Sequence, residues 1–306
     1  MAITNLKNHK MMLRILPFLM LPLLGLAQTN SKVEMPMGEN TTGEKQPLEI
    51  KRNATYNLEE IKVRWKKAAL ENCSGVPCVT APLFTCGTGT ISDYDGNPYE
   101  TVLIGTQCWT KQNLKVTKYN DGSAIPLDNT GGMNGFTGSQ TWSTQIAGAY
   151  TIHENESSTG SFASTYGFLY NWYAATDARN ICPSGWHVPT DGEWTSLIQF
   201  IDPSANASAV GGAAQSGFAG AKLKSSSTLW IGGAGTDDYG FTVLPGSQRQ
   251  EDGSFGSTRS SALFWSSTSD GTTGNSFYRF LFNLNNAVAR GARGKMAGFH
   301  VRCLKD

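Results

Sequence analysis

One run of thirteen residues constrains the fold of this chain more than any other: Cys182-Pro-Ser-Gly-Trp-His-Val-Pro-Thr-Asp-Gly-Glu-Trp194. Thr190, followed three residues later by Glu193, forms a capping box, which predicts the start of a helix. Apolar residues then recur at helical spacing as far as Ile201, and Asp202-Pro203 ends the pattern. The run therefore predicts a short amphipathic helix over 191–202, preceded by a Pro/Gly turn and a cysteine.

The first residues of the chain indicate export. Residues 1–27 contain three basic residues and no acidic residue, then an apolar run over 15–24, then the small-residue pattern Gly25-Leu26-Ala27. This pattern predicts a secretory signal peptide. The apolar run is far shorter than the roughly 20 residues that cross a bilayer, so we expect no transmembrane segment in the mature chain. The predicted location is the periplasm, the cell surface or the extracellular space.

Charge and cysteine content narrow the possible partners. Without the three basic residues of the signal peptide, the 25 basic residues fall to 22, against 24 acidic ones. The mature chain is therefore nearly neutral and shows no basic patch, which argues against nucleic acid as a partner. In an oxidising compartment the six cysteines indicate a disulfide framework and not a metal site. No cofactor is predicted.

The mature chain divides into three parts. Residues 28–57 are polar, with Pro36 and Pro47, and are interpreted as a linker. Residues 58–85 are predicted to hold an amphipathic helix and a small cysteine loop. The apolar stripe of this helix predicts packing on the neighbouring domain; binding to a membrane surface or to a partner is the alternative. The compact domain is expected to span 86–306.

A hairpin is predicted at the start of this domain. A two-residue loop at Gly96-Asn97 would pair Tyr94 with Tyr99. Cys86 would then face residue 107, one position from Cys108, which makes these two cysteines candidate disulfide partners.

The remainder of the domain indicates an α+β fold. Residues 128–167 are rich in Gly, Ser, Thr and Asn and predict long loops, whereas 168–177 are aromatic-rich and predicted to be helical in part. Glycine-rich turns separate the later strand candidates, so antiparallel neighbours are expected. These candidates are 240–244, 262–268, 277–284, 287–290 and 298–304.

Several motifs, taken in order, resemble the Fibrobacter succinogenes major paralogous domain over about 86–306. They are Val102-Leu-Ile-Gly-Thr-Gln-Cys-Trp109, Gln112-Asn-Leu114, Tyr166-Gly-Phe-Leu-Tyr-Asn-Trp-Tyr173, Cys182–Trp194, Gly240-Phe-Thr-Val-Leu-Pro-Gly246, Phe264-Trp-Ser-Ser-Thr268 and Val301-Arg-Cys303. That family is exported, abundant in Bacteroidetes and Fibrobacteres, and functionally uncharacterised. Two of its segments are also similar to the sulfatase-modifying-factor and C-type-lectin-like group. The resemblance implies a C-type-lectin-like α+β fold with antiparallel sheets, short helices, disulfides and long Gly/Ser/Thr loops.

The resemblance also implies one disulfide, because lectin-like folds commonly tie the final strand to an earlier helical region, where Cys303 and Cys182 lie. A zinc site that adds His187 and His300 is the alternative. Strand alternation opposes it, since His300 and Cys303 point to opposite faces. Cys73 and Cys78 remain as the third pair.

The resemblance to sulfatase-modifying factors raises the possibility of an enzyme. Formylglycine-generating enzymes carry reactive cysteines shortly before the closing strand, but residues 285–295 contain none. The calcium-binding tripeptides Glu-Pro-Asn, Gln-Pro-Asp and Trp-Asn-Asp of lectin-like domains are also missing. The lone His153 is predicted to lie in a surface loop. We therefore expect neither catalytic residues nor a metal site.

A binding surface is expected in the loops. Trp142 and Trp230 lie in Gly/Ser/Thr-rich segments where exposed rings could stack on a ligand, and residues 247–261 supply Arg249, Glu251 and Asp252. The sequence thus predicts an exported, non-catalytic binding or adhesion domain of the cell envelope, with a glycan or protein as ligand. An enzyme of the sulfatase-modifying type and a structural envelope protein are the alternatives.

Overall fold

The computed structural model describes residues 84–130 and 140–306, together with two short strands nearer the N-terminus. The chain divides into two units, Met1–Thr80 and Ala81–Asp306. In the first unit, β1 (Gly38–Glu39) pairs antiparallel with β2 (Lys45–Gln46). The predicted signal peptide, the helix that begins near Asn57 and the Cys73–Cys78 pair lie outside the described residues.

The second unit combines many short strands with few helices. Its helices are α1 (Gln140–Ser143), α2 (Ser161–Tyr166), α3 (Trp172–Ala175), α4 (Asp191–Ile201) and α5 (Ala219–Leu223), with a 3-10 turn at His153–Asn155. Its strands are β3 (Thr90–Ser92), β4 (Pro98–Ile104), β5 (Gln107–Thr110), β6 (Tyr150–Thr151), β7 (Leu169–Tyr170), β8 (Trp186–His187), β9 (Ala214–Ser216), β10 (Gln248–Arg249), β11 (Phe255–Gly256), β12 (Ser261–Ser269), β13 (Asn275–Phe282), β14 (Val288–Gly294) and β15 (Leu304–Lys305). The fold class is α+β, as predicted. None of the helices in the described part of this unit is long and apolar enough to span a membrane.

Two larger sheets organise this unit. One has the order β3-β4-β5-β15-β8 and the other the order β12-β13-β14-β9. All of their strand pairs are antiparallel, and the pairs β6-β7 and β10-β11 form small separate ladders. A glycine-containing turn over 270–274 connects β12 to β13, and an asparagine-rich turn over 283–287 connects β13 to β14. Both pairs are antiparallel neighbours, as expected.

The predicted register of the first hairpin is wrong, because Ile91 and not Tyr94 faces Tyr99. The Asp93 side chain accepts hydrogen bonds from the backbone N–H groups of Asp95 and Asn97, both at 3.0 Å. This carboxylate closes a loop over residues 93–97, which is longer than the predicted two-residue turn.

The helix that the capping box predicts is α4, and the box is present. The Glu193 backbone N–H donates to the Thr190 hydroxyl at 3.2 Å, while the Thr190 N–H donates to the Glu193 carboxylate at 2.7 Å. Two of the predicted strands are less regular. Segment 240–244 contributes only a bridge at Val243, and segment 298–304 makes isolated bridges before β15 begins.

The interior contains two apolar clusters, called here the first and the second core. Strand β12 contributes to both, because successive side chains point to opposite faces of a strand. Leu263 and Trp265 belong to the first core, whereas Ala262 and Phe264 belong to the second. The first core also includes Tyr99, Leu114, Tyr170, Phe299 and Val301. The second also includes Trp109, Trp194, Leu197, Trp230 and Phe241.

Both predicted disulfides of the second unit are present, Cys86–Cys108 and Cys182–Cys303. All four cysteines lie in or against the first core. The second bond ties the segment before α4 to the closing segment 298–304, as the lectin-like resemblance implies. Because its two sulfur atoms are bonded to each other, they are not available as the zinc ligands of the alternative interpretation.

Candidate functional site

The two tryptophans that we expected at the surface are buried, so that prediction is wrong. Trp142 is 0% exposed and Trp230 is 4% exposed. The Arg249 guanidinium lies 4.4 Å from the centre of the Trp142 ring, and the Trp230 indole N–H donates to the Val243 carbonyl at 3.0 Å. Burial of a large aromatic ring is strongly favourable. The Gly/Ser/Thr-rich composition of the surrounding loops was therefore a poor guide to the exposure of these two rings.

Arg249 is also buried and is corrected from a ligand-binding to a structural residue. Its guanidinium donates to the carbonyls of Asp128 at 2.8 Å, Gly253 at 3.0 Å and Thr130. Burial lowers the pKa of Arg249 even though the Asp128 carboxylate opposes this shift. Arg249 therefore holds the chain near Asp128 and Thr130 against the β10-β11 hairpin.

The two acidic candidates remain accessible, but both serve local structure. Glu251 accepts from the Gly294 N–H at 3.1 Å and pairs with Arg293 at 3.0 Å. Asp252 accepts from the backbone N–H and the hydroxyl of Ser254, which closes the turn between β10 and β11. These contacts do not bring Glu251 and Asp252 together with the predicted aromatic residues to form a site.

His153 is buried as well and does not lie in a surface loop. Its ring stacks on Phe162 with 4.2 Å between the ring centres, and its Nε2 lies 3.2 Å from the Thr258 hydroxyl. Burial lowers the pKa of His153, outweighing the nearby Glu154 and Glu156.

A cleft of about 190 Å³ provides a better candidate site. Its lining includes Arg302, which is the most deeply buried of these residues, together with Gln112, Asn113, Thr165 and Thr242. The rim carries an ion pair between Lys111 Nζ and Glu100 Oε2, 3.1 Å apart. We call this feature the Arg302 cleft. Concave sites with a few fixed polar groups are the usual form of ligand-binding sites.

Four segments that are distant in sequence meet at this cleft. The chain that follows β5 runs beside the closing segment, where the Leu114 N–H donates to the Val301 carbonyl at 2.9 Å. The Asn113 amide N–H₂ donates to the Tyr166 carbonyl at the end of α2, at 2.8 Å. The fourth segment is 240–246, which supplies Thr242. Helix α2 therefore sits against the chain that follows β5.

Arg302 connects these segments. Its Nε donates to Asn113 Oδ1 at 2.6 Å, and its Nη1 donates to the carbonyls of Thr110 at 2.9 Å and Phe241 at 3.0 Å. Its Nη2 donates to the Thr242 carbonyl at 3.2 Å. Every one of these acceptors is neutral. Burial lowers the pKa of Arg302 to about 9, with the charge of Asp237 acting in the opposite direction.

Thr242 has an unusual backbone conformation at this site. Its φ of 55° lies in the left-handed region, which a β-branched residue rarely adopts. The Asp237 carboxylate holds it there by accepting from the Thr242 N–H and hydroxyl, both at 2.7 Å. Strained residues that their surroundings hold in place are concentrated at ligand-binding and active sites.

Sequence reasoning did not identify Arg302, although the sequence contained a signal for it. Alternation places Phe299, Val301 and Cys303 on one face of the closing segment and Arg302 on the other. Both faces are buried here, since Arg302 is only 1% exposed. A charged residue in a segment that is buried on both faces needs polar partners. Such partners, Gln112-Asn113 and Thr242, lie in two of the other motifs quoted above. Sequence alone does not show that these motifs meet.

His187 contacts two carboxylates. His187 Nδ1 lies 2.6 Å from Asp306 and its Nε2 lies 3.0 Å from Glu193, where it supports the cap of α4. Within residues 84–130 and 140–306, no group of three or more His, Cys, Asp or Glu side chains is arranged to hold a metal ion.

Comparison with known proteins identifies the family. No curated protein and no solved structure matches the chain significantly. The family model described as Fibrobacter succinogenes major domain matches residues 102–305, a range that includes most of the Arg302 cleft and the Cys182–Cys303 disulfide. Since this match covers more than half of the chain, the chain belongs to the Fibrobacter succinogenes major domain family.

Proposed function

We propose that this protein is an exported, non-catalytic binding module of the bacterial cell envelope, with a C-type-lectin-like fold and a glycan or protein as its ligand. The Arg302 cleft is the observation that carries this proposal. It offers hydrogen-bonding groups in a concave surface, and several of these groups are fixed by contacts within the domain. The buried aromatic residues first considered for this role do not contribute to it.

The cleft is well suited to binding because much of it is preorganised. Arg302 precedes the disulfide-bonded Cys303, whose backbone N–H donates to the Thr110 hydroxyl at 2.9 Å. Asn113 uses both of its side-chain polar atoms to join Arg302 to Tyr166. Groups that are already ordered lose little conformational entropy on binding, which favours affinity. The more accessible Gln112 and Thr165 could then select the ligand.

A binding array tests this proposal. The chain from Gln28 would be applied to immobilised glycans and envelope proteins, with and without EDTA. We expect a retained ligand that survives chelation, because the proposed contacts use protein donors. The double variant Gln112→Ala/Thr165→Ala should weaken retention, whereas Ser164→Ala, a neighbouring change on α2 outside the cleft lining, should not. A failure of any glycan or protein to bind would favour the structural role, and undiminished binding by the double variant would place the site elsewhere.

The non-catalytic part of the proposal has its own support. The four cysteines in the described region are paired in disulfides, and residues 285–295 contain no cysteine. Formylglycine formation needs a reactive thiolate, so we expect none. The assay is incubation of the purified protein with copper and a sulfatase-type peptide. A change in the mass of the peptide cysteine, beyond that of a control without protein, would contradict this expectation.

A further inference from the structure

We propose that the Arg302 cleft binds a carboxylate, and that its ligand is an acidic glycan of the uronic acid type. This inference deepens the proposed binding function and rests on it. It starts from the charge of Arg302 and from the groups that surround that charge.

The Arg302 side chain has hydrogen-bonding capacity left over. A guanidinium has five N–H donors, and four bonds account for the Nε donor, both Nη1 donors and one Nη2 donor. The second Nη2 donor has no partner among the residues that the structure describes. Arg302 is among the residues that line the cleft, although only 1% of its surface is exposed, and we infer that this donor is the one that faces an entering ligand.

The charge of Arg302 is also without a direct counterion. Its acceptors are three backbone carbonyls and one side-chain amide oxygen, all neutral. Asp237 acts only at a distance, because both of its oxygens accept hydrogen bonds from Thr242. A buried cation is stabilised most by a charged acceptor, and charge-assisted hydrogen bonds are about twice as strong as neutral ones. A carboxylate is the ligand group that supplies such an acceptor.

The rim adds a second cation and neutral polar groups. Lys111 is paired with Glu100, whose side chain is more exposed than that of Lys111. The Gln112 oxygen accepts from the Glu100 backbone N–H at 2.8 Å, and its amide N–H₂ has no partner among the described residues. Thr165 contributes an exposed hydroxyl. Amide and hydroxyl groups beside a cation suit a molecule that carries both hydroxyls and a carboxylate, which favours a sugar acid over an acidic peptide.

The direct experiment compares two probes that differ in charge. A trisaccharide of galacturonic acid and its fully methyl-esterified form would be titrated into the chain from Gln28, with binding measured by calorimetry. We expect the acid to bind at least about tenfold more tightly than the ester, since a charged acceptor replaces a neutral one. Equal affinities, or no binding of the acid, would overturn the inference. Binding of a tri-aspartate peptide but of neither sugar would overturn the assignment to a glycan.

Substitutions at the rim test the charge independently, because Arg302 itself supports the fold and its variants could unfold. Lys111→Gln should weaken binding of the acid about two- to fivefold, whereas Glu100→Gln should strengthen it by a similar factor. Lys115→Gln, which removes a charge from the same segment but outside the cleft lining, should leave the affinity unchanged. If Lys111→Gln and Glu100→Gln changed the affinity for the acid in the same direction, the inference would be overturned. If the array yields neutral glycans whose binding depends on Gln112 and Thr165, the binding function stands and the carboxylate assignment fails.

Discussion

The two cores of the second unit are stabilised in different ways. The first core contains both described disulfides, together with tyrosines such as Tyr99 and Tyr170 whose hydroxyls donate to Asp93 at 2.6 Å and to the Val116 carbonyl at 2.8 Å. The second core has no cysteine and is built around rings, with Trp109 and Trp194 centred 4.7 Å apart. One core is therefore cross-linked covalently, whereas the other depends on packing.

An ion cluster at the start of α4 supports the second core. The Asp191 carboxylate accepts from Arg279 at 2.7 Å and from Arg290 at 2.8 Å, which joins the helix to β13 and β14. Burial opposes ionisation of Asp191, but hydrogen bonds and charge from both arginines outweigh it and lower the pKa of Asp191. The difference between the cores shows that one small domain can combine covalent closure with packing and ion pairing.

Removal of the longer disulfide should have the largest effect on stability. In the loop-entropy model, the Cys182–Cys303 bond, with a sequence separation of 121, contributes about 5 kcal/mol, and the Cys86–Cys108 bond, with a separation of 22, contributes about 3 kcal/mol. We therefore expect Cys182→Ala/Cys303→Ala to lose more free energy of unfolding than Cys86→Ala/Cys108→Ala, measured by urea unfolding. The reverse order would show that loop length does not govern the covalent contribution.

Truncation of the packed core should cost slightly less. Trp194 is 2% exposed and contacts Trp109, Phe241 and Phe264, so Trp194→Ala should destabilise the protein by about 3–5 kcal/mol. Its indole N–H donates to the Trp265 carbonyl at 3.2 Å, a contact that links this core to β12.

A double-mutant cycle shows whether the two cores act independently. Trp194→Ala would be combined with removal of the Cys86–Cys108 bond. Independent cores predict free energies of unfolding that add to within about 0.5 kcal/mol. A larger coupling energy would mean that β12 transmits the loss from one core to the other.

A substitution at Asp191 tests how much the ion cluster contributes to the stability of the second core. Asp191→Asn leaves Arg279, whose side chain is 0% exposed, without its carboxylate partner. We expect a loss of about 3 kcal/mol, because a buried charge that loses its partner is strongly destabilising. Asp270→Asn is a suitable control, since that half-buried aspartate accepts hydrogen bonds from Thr272 and has no ion pair among the described contacts. Similar losses in the two variants would contradict this role for the cluster.

The sequence predicted the elements whose signals are local. The capping box located α4, the strand candidates 262–268 and 277–284 located β12 and β13, and the predicted export indicated disulfides. The register of the first hairpin was missed because the Asp93 side chain extends the loop. The Cys86–Cys108 pair was nevertheless predicted from that incorrect register, so agreement on the pair does not validate the reasoning behind it.

The candidate site could not be predicted because it depends on contacts between distant segments. Gly/Ser/Thr-rich surroundings suggested that Trp142 was exposed, but Arg249 covers its ring. The Arg302 cleft requires that residues near 112, 242 and 302 converge, and each stretch alone resembles an ordinary strand or turn. Single-sequence patterns report which face of an element is apolar; they do not report which loops meet.

The smallest expected effect is a pH dependence with opposite signs at two histidines. Burial lowers the pKa of His300 to about 3, below the ordinary value of 6.5, so the unfolded chain takes up this proton first. The contribution of His300 to stability should therefore fall as the pH drops from about 6.5 towards 3, by at most about 1.4 kcal/mol per pH unit. His187 behaves in the opposite way. Burial disfavours its charge, but Asp306 and Glu193 outweigh burial and raise the pKa of His187.

Because its folded pKa is raised, His187 contributes fully below its unfolded value, and this contribution is lost as the pH rises through the folded value. Free energies of unfolding between pH 8 and pH 5 would be compared for the wild type, His300→Asn and His187→Asn. We expect His300→Asn to reduce the loss of stability on acidification and His187→Asn to increase it. Each variant removes one imidazole, so the two serve as controls for each other. If both variants changed the pH dependence of the free energy of unfolding in the same direction, burial and the carboxylate neighbours would not set the two pKa values as the structure indicates.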